Sequence, residues 1–425
     1  MEYKTILEHS PTKKRTSEDR FSSPIKSRHR SSLTPNINQN RHLSRIRDIS
    51  IPLPKDTISN SPRLSINDSH QAQSQCLIRT SRHSSISSTR SDSFGTSGSS
   101  SPLSAQKKRN IPMKPSRIAY IDDIPDDYYL SPFDWSLKGS LGFALNFQFI
   151  LINPKTMDFT VPNYTPDNID SIKFSPKGDL IFFGCESGDA EIFDLTHEST
   201  LSAYNLFEST ILVADWKENM IVAGGRQGRM AIIDNRQDPS KSNIIHAQEE
   251  EMLSAKIHYS RPIVISTGNE SVAKIWDLRN FEKPLITYEE HAAPIKGISW
   301  CPYNPDIIAT GGGMADRCIK TWNVTTGETL KSIDTGSQVC NLFWNKEYNE
   351  IFSTHGFSQN HLALWKGSDL APIASFHTHK QRVLFMCPSP DGTTVATAAP
   401  EDTLQIWRLF PEQKLTMSQS LLLIR

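Results

Sequence analysis

The chain has 425 residues, 37% hydrophobic and 22% charged, which is enough apolar material for a sizeable core. Its formal charge is zero, yet residues 1–110 carry 19 Lys plus Arg against 8 Asp plus Glu and the remainder carries 27 against 38, so a basic arm of +11 precedes an acidic body of −11. No run of about 18 apolar residues suits a membrane span, the N-terminus lacks a signal-peptide core, and the six cysteines, Cys76, Cys185, Cys301, Cys318, Cys340 and Cys387, form no CxxC pair, which points to a reducing compartment and away from a structural zinc.

Residues 1–110 are rich in Ser and poor in aromatics, with stretches such as "SSISSTRSDSFGTSGSSSP". Such a segment cannot bury enough surface to offset the entropy of ordering it, and we expect a disordered regulatory arm. Within it Ser10, Ser23, Thr34, Ser61 and Ser101 each precede Pro, and "SPTK" and "SPIK" carry the downstream Lys that cyclin-dependent kinases prefer. Each phosphate would add about −1.5 to −2 charges. "KKR" at 13–15 and again at 107–109 reads either as a nuclear-import signal or as plain solvated charge.

A lead-in at 111–127 precedes a periodic region at 128–410. There the large apolar residue of a recurring strand falls at Ile152, Phe193, Ile233, Trp276, Trp322, Trp365 and Trp407, with spacings of 41, 40, 43, 46, 43 and 42 residues. This is the length of a WD repeat. Each unit follows one order: an alternating strand such as "IKGISW", a turn such as "CPYNPD", a small-residue strand such as "IIATGGG", a second turn, then the Trp strand. The fold class predicted is all-β, a seven-bladed WD-repeat β-propeller preceded by the disordered arm. Stacked sandwiches would not require a constant repeat.

Catalytic signatures are missing from the sequence: no GxSxG, HExxH or Walker loop occurs, and "GGRQGR" at 224–229 reads as a turn between strands. No enzyme activity, cofactor, metal or small-molecule substrate is expected. The tail at 411–425 ends "SQSLLLIR", placing Leu421 to Ile424 beside Arg425. An apolar tail of this kind either seeks a groove on a partner or packs back on its own ring.

The stretches "KKRNIPMKPSRIAYIDDIPDDYYLSPFDWS", "GGGMADRCIKTWN", "IDTGSQVCNLFWN", "STHGFSQNHLALWK" and "HKQRVLFMCPSPDGTTVATAAPEDTLQIW", with the Ile-Arg end, resemble the fizzy and fizzy-related family, substrate-recruiting activators of the anaphase-promoting complex, a ubiquitin ligase. The resemblance implies ligase contacts through Ile424 and Arg425 and through a C-box, matched here by Asp19, Arg20 and Phe21 of "EDRFSSPIKSR", although Ser22 stands where that family has Ile. It implies a destruction-box site at Asp127, Glu401 and Asp402, whose carboxylates would grip a peptide arginine. It further implies a site for Lys-Glu-Asn peptides at Asp134, Asn269, Gln338 and Arg382, with Met314 where that family often has Thr.

By the same resemblance the partners would be the ligase subunits, degron-bearing substrates such as cyclins, and a cyclin-dependent kinase as regulator, in the nucleus and cytoplasm, with no membrane partner. Nucleic acid is not expected, since the basic arm lacks interleaved aromatics. A generic WD-repeat scaffold and a degron-binding decoy are the alternatives. "SRIRDISIP" has Arg47 where a checkpoint-protein motif would need Leu, which favours the fizzy-related branch, and Ser22 and Met314 suggest a specialised paralogue, for example one working in meiosis. Two degron-like peptides lie in the chain itself: "RSSLTPNIN", with Arg30, Leu33 and Asn38, and "WKENM" at 216–220, the latter reading better as a hairpin turn.

Overall fold

The computed structural model describes residues 47–48, 109–164 and 167–411. Seven antiparallel sheets follow one another along the chain, and their innermost strands are Phe133–Trp135, Ile169–Phe174, Ile211–Lys217, Met252–Ile257, Ile295–Trp300, Val339–Asn345 and Phe385–Pro388. Each inner strand packs beside the next, and the seventh packs against the first, so the sheets form blades 1–7 of a closed ring around a central channel. Among the described residues the only helical piece is the 3-10 turn Pro239–Lys241.

The repeat anchors explain the periodicity. Ile152, Phe193, Ile233, Trp276, Trp322, Trp365 and Trp407 sit on the third strands of successive blades, none more than 6% exposed. Full burial of such a side chain contributes roughly 1.5–3 kcal/mol, and each indole must also place its N–H. Trp276 Nε1 donates to Ser266 Oγ at 2.9 Å, Trp322 Nε1 to Thr310 Oγ1 at 3.1 Å and Trp365 Nε1 to Ser353 Oγ at 2.7 Å, so a hydroxyl on the second strand accompanies the Trp on the third.

Small residues occupy the second strands because the next blade presses on them. A β-carbon on Gly184 would lie 2.6 Å from Ile211 Cγ2, and one on Gly311 would lie 2.3 Å from Val339 Cγ1. Neighbouring blades are also stitched through polar side chains of the inner strands: Asp134 Oδ2 accepts from Phe174 N at 2.9 Å, Ser171 Oγ donates to Ile211 O at 2.8 Å, Asp215 Oδ2 accepts from Ile257 N at 2.8 Å and Trp344 N donates to Ser299 Oγ at 2.9 Å.

The ring closes by sharing a sheet between the two flanks of the repeat region. Blade 7 takes Phe385–Pro388, Val395–Ala399 and Thr403–Trp407 from the C-terminal side, and its fourth strand, Arg117–Tyr120, comes from the lead-in, with Arg117 paired to Ile406 and Tyr120 to Thr403. Arg47–Asp48 adds a fifth strand beside Tyr120 and Ala119. Arg109 reinforces the closure. Its guanidinium holds both carboxylate oxygens of Glu350, at 2.6 Å for Oε1, its Nε donates to Leu409 O at 3.1 Å, and its plane lies 4.2 Å from the Tyr348 ring centre and 5.2 Å from that of Phe410.

Candidate functional site: the lead-in face and the channel

After its strand, the lead-in runs across one face of the ring and is tied to four blades. Ile121 N donates to Asp402 O at 2.9 Å and Ile124 N to Asp402 Oδ1 at 3.3 Å, both in blade 7. Arg382, just before the inner strand of blade 7, clasps Asp126 through Nε at 3.0 Å and Nη2 at 2.5 Å, and its guanidinium stands 5.1 Å from the exposed Phe357 ring. Tyr128 is buried, with its hydroxyl 3.4 Å from Val339 O in blade 6, and Tyr129 OH donates to Asn269 Oδ1 in blade 4 at 3.1 Å. Lys296 of blade 5 donates to Tyr128 O and, at 2.9 Å, to Leu130 O.

Burial sets the electrostatics of this face. It pushes the Tyr128 phenol well above its usual range and draws the Lys296 ammonium down to about 8. Asp170 is pushed up to about 7, first by burial and then by the carboxylates of Glu186, Asp127 and Asp167. Asp127 therefore lies among other carboxylates, with Arg226 the cation that opposes them at Asp170.

The expected destruction-box acids divide into two kinds. Asp127 uses Oδ1 to cap Tyr129 N at 2.8 Å, and Asp402 uses Oδ1 on Ile124 N, so each has a second carboxylate oxygen with no partner among the described residues. Glu401 is occupied by the fold. It accepts from His379 Nδ1 at 2.8 Å, Lys380 N at 2.8 Å, Gln381 N at 2.5 Å and Thr403 Oγ1 at 2.9 Å. His379 passes the network on through Nε2 to Thr397 Oγ1 at 2.9 Å, which also receives Trp407 Nε1 at 3.3 Å. Blade 5 repeats this chain with Asp316, His291, Thr310 and Trp322, so Glu401 fills a recurring architectural position.

Of the four residues expected to read a Lys-Glu-Asn peptide, two hold the lead-in directly. Arg382 and Asn269 belong to the lead-in face through Asp126 and Tyr129. Gln338, just before the blade 6 inner strand, is 8% exposed, packs against Gly356 and hydrogen-bonds the Tyr128 phenol of the lead-in. Asp134 belongs to the channel, where Lys173 Nζ lies 3.1 Å from its Oδ1. Met314 is 63% exposed on the turn before the third strand of blade 5. The peptide "WKENM" forms a two-residue hairpin turn with Lys217 paired to Met220 and Glu218 at a φ of 53°, as its sequence suggests.

Asp19, Arg20, Phe21, Ser10, Ser23, Thr34, Ser61, Ser101, Ile424 and Arg425 lie outside the described residues. Sequence reasoning missed Asp126, Tyr128, Lys296 and Arg109. A signal existed for Lys296, a lone cation in the otherwise apolar "IKGISW"; none existed for Arg109, whose partners are 241 and 300 positions away.

Seven blades built on buried third-strand anchors, with the first and last parts of the ring sharing one sheet, define a WD-repeat β-propeller. Residues 121–407 match the family model described as the CDC20/Fizzy WD40 domain, and the chain belongs to that family. It is 33% identical over 326 residues to "Protein FIZZY-RELATED 3" of Arabidopsis thaliana, covering 76% of this chain and 67% of the relative. It is also 33% identical over 311 residues to "Anaphase-promoting complex subunit cdc20" of Dictyostelium discoideum, covering 72% and 62%. The matched stretch thus spans about two thirds of these relatives' length. Among solved structures, a chain in "Crystal Structure of Mitotic Checkpoint Complex" superposes with a TM-score of 0.68 at 29% identity, over 76% of this chain and 99% of that one.

Proposed function

We propose that this chain is a substrate-recognition and activator subunit of the anaphase-promoting complex, presenting degron-bearing proteins such as cyclins to the ligase and contributing geometry and effective concentration to a reaction catalysed elsewhere. The observation that carries the reading is the coincidence of the family match over residues 121–407 with a lead-in face on which Asp127 and Asp402 each keep a carboxylate oxygen for a ligand. These two acids receive the arginine of a destruction-box peptide, with Glu401 holding the turn that presents Asp402.

On the same face Arg382 and Asn269 read a Lys-Glu-Asn peptide, and Gln338 supports them from beneath. Asp134, named with them by resemblance, serves the channel. Asp19, Arg20 and Phe21 bind the ligase as a C-box, and Ile424 and Arg425 anchor the tail in a ligase groove. Phosphorylation of Ser23 by a cyclin-dependent kinase places negative charge beside Phe21 and weakens that contact; Ser10, Thr34, Ser61 and Ser101 act in the same sense. The protein works in the nucleus and cytoplasm, in mitotic or meiotic division.

The test is reconstituted ubiquitination with ligase lacking its usual activator, a destruction-box substrate, and this chain intact or without Ile424 and Arg425. Transfer with the intact chain that is largely lost on deletion supports the activator role. Peptide binding without transfer by either form makes the protein a degron-binding decoy, a reading that Ser22 in place of Ile in the C-box favours.

A further inference from the structure

The central channel holds a cavity of about 170 Å³ whose wall is unevenly built. On the side of blades 1–4 the charges alternate: Asp134, Lys173, Asp215 and Lys256 come from successive inner strands. Blades 5–7 complete the wall with Lys296 and Asn341 and with the apolar side chains of Ile298, Phe343 and Met386.

The four charged side chains are unequally provided for. Lys173 Nζ bridges Asp134 at 3.1 Å and Asp215 at 3.7 Å, and the remaining oxygen of each acid takes the backbone N–H of Phe174 or Ile257. Both carboxylates are thereby used. Lys256, the last of the row, has no hydrogen-bond or ion-pair partner among the described residues. Lys296 also lines the cavity, and its ammonium is satisfied by the neutral carbonyls of Tyr128 and Leu130. Three ammoniums face two carboxylates, so the lining carries one uncompensated positive charge next to an apolar wall. Lys256 is half-buried, and an ammonium so placed with no ion-pair partner attracts an anion.

We propose that this cavity binds a small organic monoanion, a carboxylate on a compact apolar body, with the carboxylate on the Lys256 ammonium and the body against Ile298, Phe343 and Met386. One negative charge neutralises the lining, and the apolar half explains why an inorganic anion alone is the poorer ligand: it would leave that wall facing water or void. Burial holds Lys256 below the usual lysine range and Lys296 near 8, so an anion placed beside Lys256 would stabilise its charged form. The cavity shares Lys296 and Leu130 with the lead-in face, but the group proposed to hold the anion, Lys256, makes no contact with Asp127 or Asp402, and the inference does not depend on the function proposed above.

Calorimetric titration of the full-length protein at pH 7 with sodium hexanoate, hexanamide and inorganic phosphate tests the proposal. Hexanoate binds, hexanamide does not, and phosphate binds at least about tenfold more weakly. Lys256→Met keeps the apolar stem and removes the charge, so it folds, as its melting temperature checks; it weakens hexanoate at least about tenfold, the scale of one charge-assisted contact. Lys256→Arg retains binding to within about threefold, which separates loss of charge from loss of shape. Saturating destruction-box peptide leaves hexanoate binding unchanged. Absence of hexanoate binding, equal binding by Lys256→Met, equal binding of phosphate, or displacement by the peptide would overturn the proposal.

Discussion

Glu401 and Asp402 are adjacent acids with opposite duties. Glu401 accepts four hydrogen bonds from His379, Thr403 and two backbone N–H groups, whereas Asp402 accepts one and faces the lead-in. Glu401→Ala therefore lowers the melting temperature, because it removes the one carboxylate that joins the buried His379 ring to the exposed N–H groups of Lys380 and Gln381, at a cost of about 1–3 kcal/mol. Asp402→Ala gives up one hydrogen bond, from Ile124 N, at a residue with a φ of 63°, so it lowers melting less than Glu401→Ala, and it weakens a destruction-box peptide roughly tenfold, consistent with loss of one charge-assisted bond. Melting curves and peptide titrations on the two variants separate the roles, and peptide affinity that is unaffected by Asp402→Ala removes it from the site.

Asp170 gives the same face a pH signature. Its carboxyl ordinarily titrates at 3.8 and is raised to about 7 in the fold. The folded protein thus holds a proton that the unfolded chain has released between those values, and stability declines as pH rises through that window. Asp170→Asn should raise the melting temperature more at pH 8 than at pH 5, and an equal gain at both would contradict the burial, and the carboxylates around it, that raise its carboxyl. The two acids of "PEDTL" were legible in the sequence as a pair, but their division of labour was not, because it depends on His379 lying 22 residues upstream as the partner of the first. The echo in blade 5, His291 with Asp316, was the available clue.

At the level of strands and segments, periodic features were legible and long-range ones were not. All seven third-strand anchors named from spacing are buried, because a repeat writes the same packing requirement into the sequence every 40 to 46 residues. Arg109 escaped notice at the end of a basic run in the arm, yet its side chain is 11% exposed and Glu350 opposite is 9% exposed. Local sequence carries no trace of a partner 241 positions away. Arg109→Ala strands a buried carboxylate and removes the plate packed on Tyr348 and Phe410, so it should cost about 3–5 kcal/mol in chemical denaturation. The paired change Arg109→Met with Glu350→Leu, which removes both charges, should restore most of that loss. A midpoint unchanged in Arg109→Ala would show that the clamp contributes nothing to closure.

On the scale of the whole molecule, the number of blades and the ring topology follow from counting repeats, while the manner of closure does not, since the strand Arg117–Tyr120 precedes the periodic region and carries no anchor of its own. The family match begins at residue 121, just beyond that strand. A protein beginning at Ile121 would lack the outer strand of blade 7 and expose the edge of Thr403–Trp407. We expect it to melt well below a protein beginning at Arg109 and to aggregate in light-scattering measurements; equal melting of the two would mean that the shared sheet is dispensable.

The shared sheet also has a temporal meaning. Arg117 pairs with Ile406, so the first strand of the ring to leave the ribosome is among the last to find its neighbour. During synthesis the chain carries six nearly complete blades and an unpaired flank, and it gains its native closure in a single late step that joins residues almost 300 positions apart, the kind of contact that slows folding and leaves edges open to wrong partners. A product stalled before Thr403–Trp407 therefore leaves Arg117–Tyr120 without its partner, an open edge on a ring that is otherwise built, so shielding of the growing chain until its final repeat emerges bears on how much of it closes correctly.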